Sequence, residues 1–322
     1  MIKLSICIPT YQGERYLREA LESASKVPGT DIEILVCDDV SSDQTMDILA
    51  EHQKVEPRLR IHRNRVNLGL VGNWNNCINR AQGEWIKFLF QDDVLEDSFF
   101  PEVQPFLEGS CDFIAFSRRF IFEPDANPHI ADYLSQEYFW LDQIVPESKL
   151  LTPHDFASVV IQMFGYNFIG EPSNILFRRR VIFAIGPYNA SLSQYPDLEF
   201  CYRLGLHCGI QSIPKTLSRF RVHGQSTTTH NRTKNAFQSE DLDMLILCHE
   251  AMFTQSYAPL RTVANACGFS WDAMLSRKLN QLTETVLDPQ NRESCKNVLQ
   301  AYPKLAARLR DLSPQAWKRI HA

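Results

Sequence analysis

The sequence of 322 residues lacks several patterns that identify common protein classes. No run reaches about 18 uninterrupted apolar residues, so no membrane-spanning helix is predicted. Met1 to Leu4 lead directly into a strand pattern without a signal peptide, so we expect a cytoplasmic protein. The nine cysteines form no CxxC pair, and we interpret them as small buried hydrophobes in a reducing compartment. A formal net charge of −5 argues against nucleic acid as a partner.

Glycine-rich phosphate loops are also missing. No GxGxxG motif opens the first predicted helix, which disfavours a dinucleotide-binding fold, and there is no Walker A loop. Any phosphate that the protein binds must therefore be held mainly by a cation, by side chains or by helix ends.

The first hundred residues alternate between strand and helix patterns. Short apolar runs at Leu4–Pro9, Ile32–Cys37 and Trp85–Phe90 predict buried strands, and helical spacing begins at Leu17 and again at Leu70. Strands separated by helices of this length predict βαβ units and a mostly parallel sheet. Further strands are predicted at residues 112–117, 173–177, 210–213 and 216–221.

Two later stretches have a different character. Residues 122–153 are polar, aromatic and rich in proline, which predicts a long loop or lid. From about Thr227 onward the pattern is helical. We therefore expect a catalytic domain over residues 1–226 and a helical extension over residues 227–322. Within the domain, the halves would divide at about residue 100.

Two pairs of adjacent aspartates stand where predicted strands end. Asp38-Asp39 and Asp92-Asp93 each follow an apolar run, and the carboxyl ends of parallel strands face the ligand crevice. The first pair is either a turn before a helix cap or a carboxylate that accepts a hydrogen bond from a base or ribose. In the second pair, adjacent acids repel unless they are solvated or bound to a cation such as Mg²⁺ or Mn²⁺.

Later polar residues add a candidate base and a basic set. Asp197 stands at the predicted start of a helix, where it is either a cap or a base held at a fixed position. Arg219, Arg221 and His223 alternate along a predicted strand and therefore share one face. That face is either solvated or contacts phosphates, with His223 as a metal ligand.

In this order, the residues resemble the inverting nucleotide-sugar glycosyltransferase family 2, over roughly residues 3–230. The resemblance implies an α/β GT-A fold, a Rossmann-like and mostly parallel sheet flanked by helices, here with a C-terminal helical extension. The first half of the domain would bind nucleotide and the second the acceptor. The segments that are similar to the family's are Leu4–Tyr11, Glu33–Thr45, Asn67–Gly69, Ala81–Ile86, Gln91–Asp93, Gly170–Ser173, Phe177–Arg179, Gly186, Asp197 and Arg221–His223.

The resemblance implies a role for individual positions. Asp197 takes the place of the family's catalytic base. The expected ligands of Mn²⁺ or Mg²⁺ are Asp93, Asp92 and His223. The expected nucleotide-binding residues are Pro9, Thr10, Tyr11, Glu14, Asp39, Asn67, Gly69, Asn75 and Asp92. Contacts to the diphosphate or the acceptor are expected from Arg219, Arg221, Glu171 and Trp74.

The sequence departs from the family pattern at three positions. Phe90 replaces the leading aspartate of the metal motif, so which of Asp92 and Asp93 binds the metal stays open. Val40 replaces a glycine and constrains its turn. Trp74 replaces an arginine and removes one positive contact, which the basic set at residues 219–223 is expected to replace.

We therefore expect direct displacement at the anomeric carbon, with inversion and Asp197 as the base. The donor would be a UDP-sugar, or alternatively a dTDP- or GDP-sugar, and the acceptor a saccharide or lipid-linked saccharide. The resemblance implies a role in bacterial surface polysaccharide synthesis, such as O-antigen or capsule. The alternatives are a non-catalytic nucleotide-sugar-binding or scaffold protein and a sugar-nucleotide pyrophosphorylase. A pyrophosphorylase needs a glycine-rich basic loop where Pro9–Glu14 stand.

The end of the helical extension has two interpretations. Its basic and apolar residues could form an amphipathic surface for anionic lipid on the inner face of the cell membrane. The other interpretation is a solvated helix that packs on the catalytic domain or on a second subunit, as in a homodimer. The residues concerned are Lys304, Leu305, Arg308, Leu309, Arg310, Trp317, Lys318 and Arg319.

Overall fold

The computed structural model describes residues 2–135, 140–226, 237–285 and 289–321. Within these ranges, nine strands form one sheet. The strands are β1 (Leu4–Thr10), β2 (Ile32–Asp38), β3 (Leu59–Arg63), β4 (Trp85–Phe88), β5 (Val94–Leu95), β6 (Phe113–Phe122), β7 (Lys149–Leu151), β8 (Ile175–Arg178) and β9 (Ile210–Val222). Their order is β3-β2-β1-β4-β8-β6-β9-β5, and β7 pairs with β9 outside this path.

Helices connect the strands and continue after the sheet is complete. Those of the domain are α1 (Leu17–Ser25), α2 (Thr45–Gln53), α3 (Gly69–Arg80), α4 (Phe99–Leu107), α5 (Pro128–Ser135), α6 (Leu141–Ile144), α7 (Pro153–Gln162), α8 (Ile182–Ile185) and α9 (Pro196–Cys208). Those of the helical extension are α10 (Asp243–Phe253), α11 (Ala258–Ala266), α12 (Trp271–Thr285), α13 (Pro289–Ala301), α14 (Pro303–Leu312) and α15 (Pro314–His321).

The first half of the sheet is parallel, as expected. Strand β1 pairs in parallel with β2 and β4, and β2 pairs in parallel with β3. Alternate side chains of β1 enter two separate hydrophobic clusters, with Ile6 and Ile8 in one and Cys7 in the other. Both faces are therefore covered, which explains why the strand reads as a continuous apolar run. The pairing of Thr10 with Asp38 brings the carboxyl ends of β1 and β2 to the same edge.

The second half of the sheet is mixed. Strand β8 runs antiparallel to both β4 and β6, whereas β6 and β9 are parallel. The two late strands expected from the sequence are one strand, β9, whose register against β6 shifts between Phe116 and Arg118. The prediction of a mostly parallel sheet therefore holds for the first half of the sheet only.

The prediction of a long loop at residues 122–153 is wrong for the residues of this segment that the structure describes. It contains α5, α6 and β7, and residues 136–139 lie outside the described ranges. Leu141, Val145 and Leu151 are buried in the main hydrophobic cluster, so this segment contributes to the core. These buried apolar residues are widely spaced in a polar, proline-rich segment, so they give no periodic pattern from which a helix or strand could be predicted. At its end, Thr152 and Asp155 form a reciprocal cap that starts α7.

The helical extension packs on the catalytic domain. Leu260 of α11 and Leu305 and Leu309 of α14 belong to the same buried cluster as Phe156 of α7. The apolar face of α14 is thus used inside the chain, and this favours the packed-helix interpretation over a lipid-binding surface. In the described part of the chain, no helix is both long and apolar enough to cross a bilayer.

Candidate active site

The carboxyl ends of β1, β2 and β4 open onto a cavity of about 1480 Å³. Both halves of the domain contribute to its wall. Of the residues expected at the site, those that line the cavity are Pro9, Thr10, Tyr11, Glu14, Asp39, Asn67, Gly69, Trp74, Asp92, Glu171, Asp197 and His223. The expected site residues Asn75, Asp93, Arg219 and Arg221 are not part of this wall.

The first aspartate pair ends β2 and holds the loop before α3. The Asp39 carboxylate accepts hydrogen bonds from Asn64 Nδ2 at 2.7 Å and from the backbone N–H groups of Leu68 and Gly69 at 2.8 and 2.9 Å. A carboxylate has about four acceptor positions, so Asp39 keeps capacity for a ligand. Val40 has a φ of +68°, a strained conformation for a β-branched residue that fits the expected constraint on this turn.

The second aspartate pair is divided between the cavity and the core. Asp92 lines the cavity, and its Oδ2 lies 2.9 Å from Nε2 of His223, which follows the end of β9. Asp93 is fully buried, and its carboxylate accepts hydrogen bonds from the Ser173 hydroxyl at 2.5 Å and from the Arg221 N–H at 3.0 Å. Burial, followed by the neighbouring charge of Asp92, raises the pKa of Asp93 well above its ordinary value. Asp93 therefore faces the protein interior and does not line the cavity.

A buried lysine lies behind this pair. Lys87 on β4 is fully buried, and its Nζ donates to the carbonyl oxygens of Phe88 and Ser173. Burial lowers the pKa of Lys87 to about 7, and the nearby charge of Asp93 opposes that shift. Hydrogen bonds of Lys87 therefore support the loop that carries Asp92. The sequence pattern did not predict this support, because Trp85–Phe90 was treated as an apolar run.

The two expected phosphate-binding arginines have other partners. Arg219 pairs with Glu96 at 3.4 Å, and Arg221 is buried between Glu19 and Glu123. Strand alternation does put both arginines on one face, but it is Phe220 and Val222 that line the cavity. Only His223, beyond the strand end, reaches the site. Neither arginine lines the cavity and each has an acidic partner, so their expected contact with a diphosphate stays a prediction without support from this geometry.

Asn75 also has a structural role. Its amide donates to the Tyr188 carbonyl at 2.9 Å and accepts from the Tyr188 N–H at 2.9 Å. The asparagine of α3 that lines the cavity is Asn73, whose Nδ2 donates to the Cys37 carbonyl at 2.8 Å. Trp74 lines the cavity too and stacks on Phe90 with the ring centroids 5.0 Å apart.

Asp197 lies in the first turn of α9 and faces the cavity. Its Oδ1 accepts the Leu198 N–H at 2.9 Å, and its Oδ2 accepts from Asn167 Nδ2 at 3.2 Å. Burial raises the pKa of Asp197 to about 7, with a further contribution from the charge of Glu171. A carboxyl with such a pKa can take up a proton near neutral pH, which is the property required of a general base.

An ion pair lies beside this carboxyl. Glu171 Oε2 pairs with Arg118 Nε at 2.6 Å, and the Arg118 guanidinium lies 3.6 Å from the ring centroid of Trp140. Gly170 has a φ of +107°, and a side chain there would collide with the Arg118 guanidinium. The negative charge of Glu171 is therefore held by a cation, in contrast to Asp197.

Besides Asn73, sequence reasoning missed Gln91 and Asn167 in the cavity wall and Arg118 beside it. Gln91 bridges the two loops, because its amide accepts the Tyr11 N–H at 2.9 Å and donates to the Tyr11 carbonyl at 3.1 Å. Asn167 orients Asp197, and Arg118 pairs with Glu171. Gln91 could have been found, since it stands inside the shortened acidic motif. The other two carry no local signal because their partners lie far away in sequence.

Comparison with known proteins was made on both sequence and fold. A family model described as Glycosyl transferase family 2 matches residues 5–181. Uncharacterized protein MT1568 of Mycobacterium tuberculosis is 30% identical over 230 residues, which cover 70% of this chain and 69% of that protein. Poly(ribitol-phosphate) beta-N-acetylglucosaminyltransferase TarS of Staphylococcus aureus is 32% identical over 111 residues, or 34% of this chain and 19% of TarS.

The same fold occurs in solved structures. S. aureus TarS 1–349 in complex with UDP-GlcNAc gives a TM-score of 0.61 at 19% identity and covers 99% of this chain and 88% of that one. The mannosyltransferase PcManGT of Pyrobaculum calidifontis, in complex with GDP-Man and Mn²⁺, gives 0.56 at 14% identity, covering 97% and 88%. These similarities confirm the GT-A fold expected from the sequence.

Proposed function

Because the chain belongs to glycosyl transferase family 2, we propose that it moves a sugar from a nucleotide-diphosphate sugar to an acceptor hydroxyl with inversion. One observation carries the proposal. Asp197, whose pKa is raised to about 7 by burial, lines the same cavity as Asp92 and His223, which are in contact with each other. A proton acceptor and a candidate cation site thus share one space large enough for both substrates.

We assign the donor to the part of the cavity at the ends of β1 and β2. Tyr11 is half exposed there, and Asp39 lies beside the start of α3 with acceptor capacity to spare. These groups suit a nucleobase, which has both an apolar face and N–H donors. UDP-sugars are the first donors to test, since TarS was solved with UDP-GlcNAc, and the GDP-Man complex of PcManGT makes GDP-sugars the second.

The donor set fits a divalent cation bound together with a diphosphate. In the described residues, no group of three or more His, Cys, Asp or Glu side chains could hold a metal alone. Mg²⁺ and similar ions commonly use one or two carboxylates plus substrate phosphates. Asp92 would supply one carboxylate, and His223 Nε2, 2.9 Å from Asp92 Oδ2, would add a nitrogen ligand. When bound, Mn²⁺ or Mg²⁺ would offset the negative charge of the leaving group. We assign Asp93 to the support of this loop rather than to ligation.

The protein's own residues perform the rest of the reaction. Asn167 and the Leu198 N–H hold the Asp197 carboxylate in place, so that it can take the proton of the acceptor hydroxyl. The acceptor oxygen then bonds to the anomeric carbon while the bond from that carbon to the nucleoside diphosphate breaks. A single displacement of this kind inverts the configuration at that carbon. Glu171 is less suited to be the base, because Arg118 holds its charge.

The acceptor we propose is a saccharide or a lipid-linked saccharide of a bacterial surface polysaccharide. The poly(ribitol-phosphate) named as the substrate of TarS motivates this class. Since activated nucleotide sugars are cytoplasmic substrates, we place the reaction in the cytoplasm or at the inner face of the cell membrane.

The test combines donor binding with turnover. Purified protein is screened by thermal shift against UDP-, dTDP- and GDP-sugars with Mn²⁺, with Mg²⁺ or with EDTA, because a true donor stabilises the folded state. Release of nucleoside diphosphate and the anomeric configuration of the product are then measured with saccharide acceptors. A metal-dependent donor shift and an inverted product would support the proposal. A donor that binds without any turnover would favour a non-catalytic binding protein, and a retained configuration would exclude the mechanism.

A further inference from the structure

The helical extension reaches the loop that precedes the candidate base. Asp243, the first residue of α10, is buried, and its carboxylate accepts the N–H groups of three consecutive residues. The distances from Oδ2 are 2.9 Å to Ser193 N, 2.6 Å to Gln194 N and 2.8 Å to Tyr195 N. The Ser193 hydroxyl donates to Oδ1 at 3.3 Å.

These contacts fix the start of α9. The loop Ser193–Tyr195 lines the cavity and leads through Pro196 directly into Asp197. Successive N–H groups at a helix start form an anion-binding site, here occupied by the Asp243 carboxylate of the chain itself. The position of Asp197 relative to the cavity therefore depends on a residue 46 positions later, outside the domain expected from the sequence.

A second contact from the helical extension lies on the other side of the base. Tyr257, fully buried just before α11, donates its hydroxyl to Glu199 at 3.3 Å. Glu199 also pairs with Arg203 at 2.6 Å, and Arg203 donates to the Pro187 carbonyl at 2.8 Å. The extension thus contacts the chain on both sides of Asp197, within four residues before it and two residues after it.

We propose that Asp243 is a positioning residue for catalysis and that the helical extension is an integral part of the active site. The inference rests on the proposed function, since it concerns the base of that reaction. Asparagine at position 243 keeps one oxygen but loses the negative charge, so the three N–H groups of this cavity-lining loop keep only a weaker, neutral acceptor and the loop is held less firmly. A misplacement of the base by about 1 Å is enough to lower the rate about a hundredfold.

The experiment compares Asp243→Asn with the control Asp241→Asn. Asp241 lies two residues earlier, is half-buried and has Lys278 and Glu240 as its charged neighbours. For Asp243→Asn we expect a kcat about 10 to 100 times lower, with the donor KM within about twofold of the wild type. The control should keep both constants. Hydrogen exchange at residues 193–195 should be faster in Asp243→Asn alone, and this readout does not depend on turnover.

The outcomes separate the inference from the proposed function. If the wild type turns over no nucleotide sugar, the proposed function fails, whereas faster exchange in Asp243→Asn still supports the loop contact. If the wild type is active and Asp243→Asn matches it in kcat, the inference is overturned. Equal losses in kcat and donor binding also overturn it, since they indicate general unfolding. Should Asp243→Asn not fold, Asp243→Glu keeps the charge but displaces the carboxylate by one methylene, and an unchanged kcat in that variant overturns the inference.

Discussion

Replacing Asp197 by asparagine should abolish turnover and also stabilise the protein above neutral pH. The side chain keeps its size and still accepts the Leu198 N–H, so the start of α9 should be preserved. What changes is the ability to take up a proton. Loss of a general base lowers kcat by about 10² to 10⁴. In the wild type, kcat/KM should rise with pH and level off above about 7, the value to which burial raises the pKa of Asp197.

The effect on stability follows from the same pKa. The carboxyl has an ordinary pKa of 3.8 when unfolded and about 7 when folded, so between these values the folded state binds more protons. Wild-type stability therefore falls as pH rises through this window. The difference in pKa corresponds to about 4 kcal/mol, and loss of the hydrogen bond from Asn167 offsets about 1 kcal/mol of the gain. We expect Asp197→Asn to be more stable than the wild type by about 1 to 3 kcal/mol at pH 8. This gain is smaller than the difference in pKa implies because solvent reaches the half-buried group. At pH 4 we expect no gain.

The assay pairs denaturant unfolding at pH 4 and pH 8 with steady-state kinetics and a donor-induced thermal shift. Asp47→Asn, an exposed aspartate on α2, is the control and should change neither activity nor the pH dependence of stability. If Asp197→Asn binds donor and keeps more than about a tenth of wild-type kcat, Asp197 is not the base. If it shows no gain at pH 8, the argument from a half-buried, ionised carboxylate is refuted.

Three further predictions concern the second aspartate pair and the basic strand. Asp92→Asn should raise the Mn²⁺ concentration needed for the donor-induced thermal shift by at least about tenfold, because His223 remains as the sole proposed ligand. An unchanged Mn²⁺ titration would exclude Asp92 as a metal ligand. Asp93→Ala should cost about 3 kcal/mol in urea unfolding, because the buried Ser173 hydroxyl loses its acceptor, and a neutral result would contradict this support role. Arg219→Ala should change stability by less than about 1 kcal/mol and leave the donor KM intact, and a raised KM would restore the arginine to the diphosphate site.

Local pattern was sufficient for the residues at strand ends. Asp39 and Asp92 line the cavity because a parallel sheet brings the carboxyl ends of its strands to one edge, and an apolar run followed by acids marks such an end in the sequence. The same reasoning could not tell which face of β9 borders the cavity. Alternation defines two faces but does not say which of them borders the cavity, and in the structure the bordering face carries Phe220 and Val222 rather than the two arginines.

Helix faces raised the same difficulty. The asparagine of α3 that lines the cavity is Asn73 rather than Asn75. The two residues are two positions apart, which is about 200° around the helix. Lys87 was read as part of an apolar run, although it is a buried cation with carbonyl partners from two different segments. Such partners come together only when β4 and the turn before β8 are adjacent, which single-sequence patterns do not report.

The sequence alone determined the family and the order of elements in the first half of the sheet, because both depend on short segments with a strong pattern. The resemblance to the family, rather than a local pattern, named Asp197 as the candidate base. Tertiary structure decided how these segments work together. It divided Asp92 from Asp93, gave the two arginines acidic partners outside the cavity wall and joined Asp243 of the helical extension to the loop before Asp197. The physical reason is that burial and hydrogen-bond partnership depend on contacts between residues far apart in the chain.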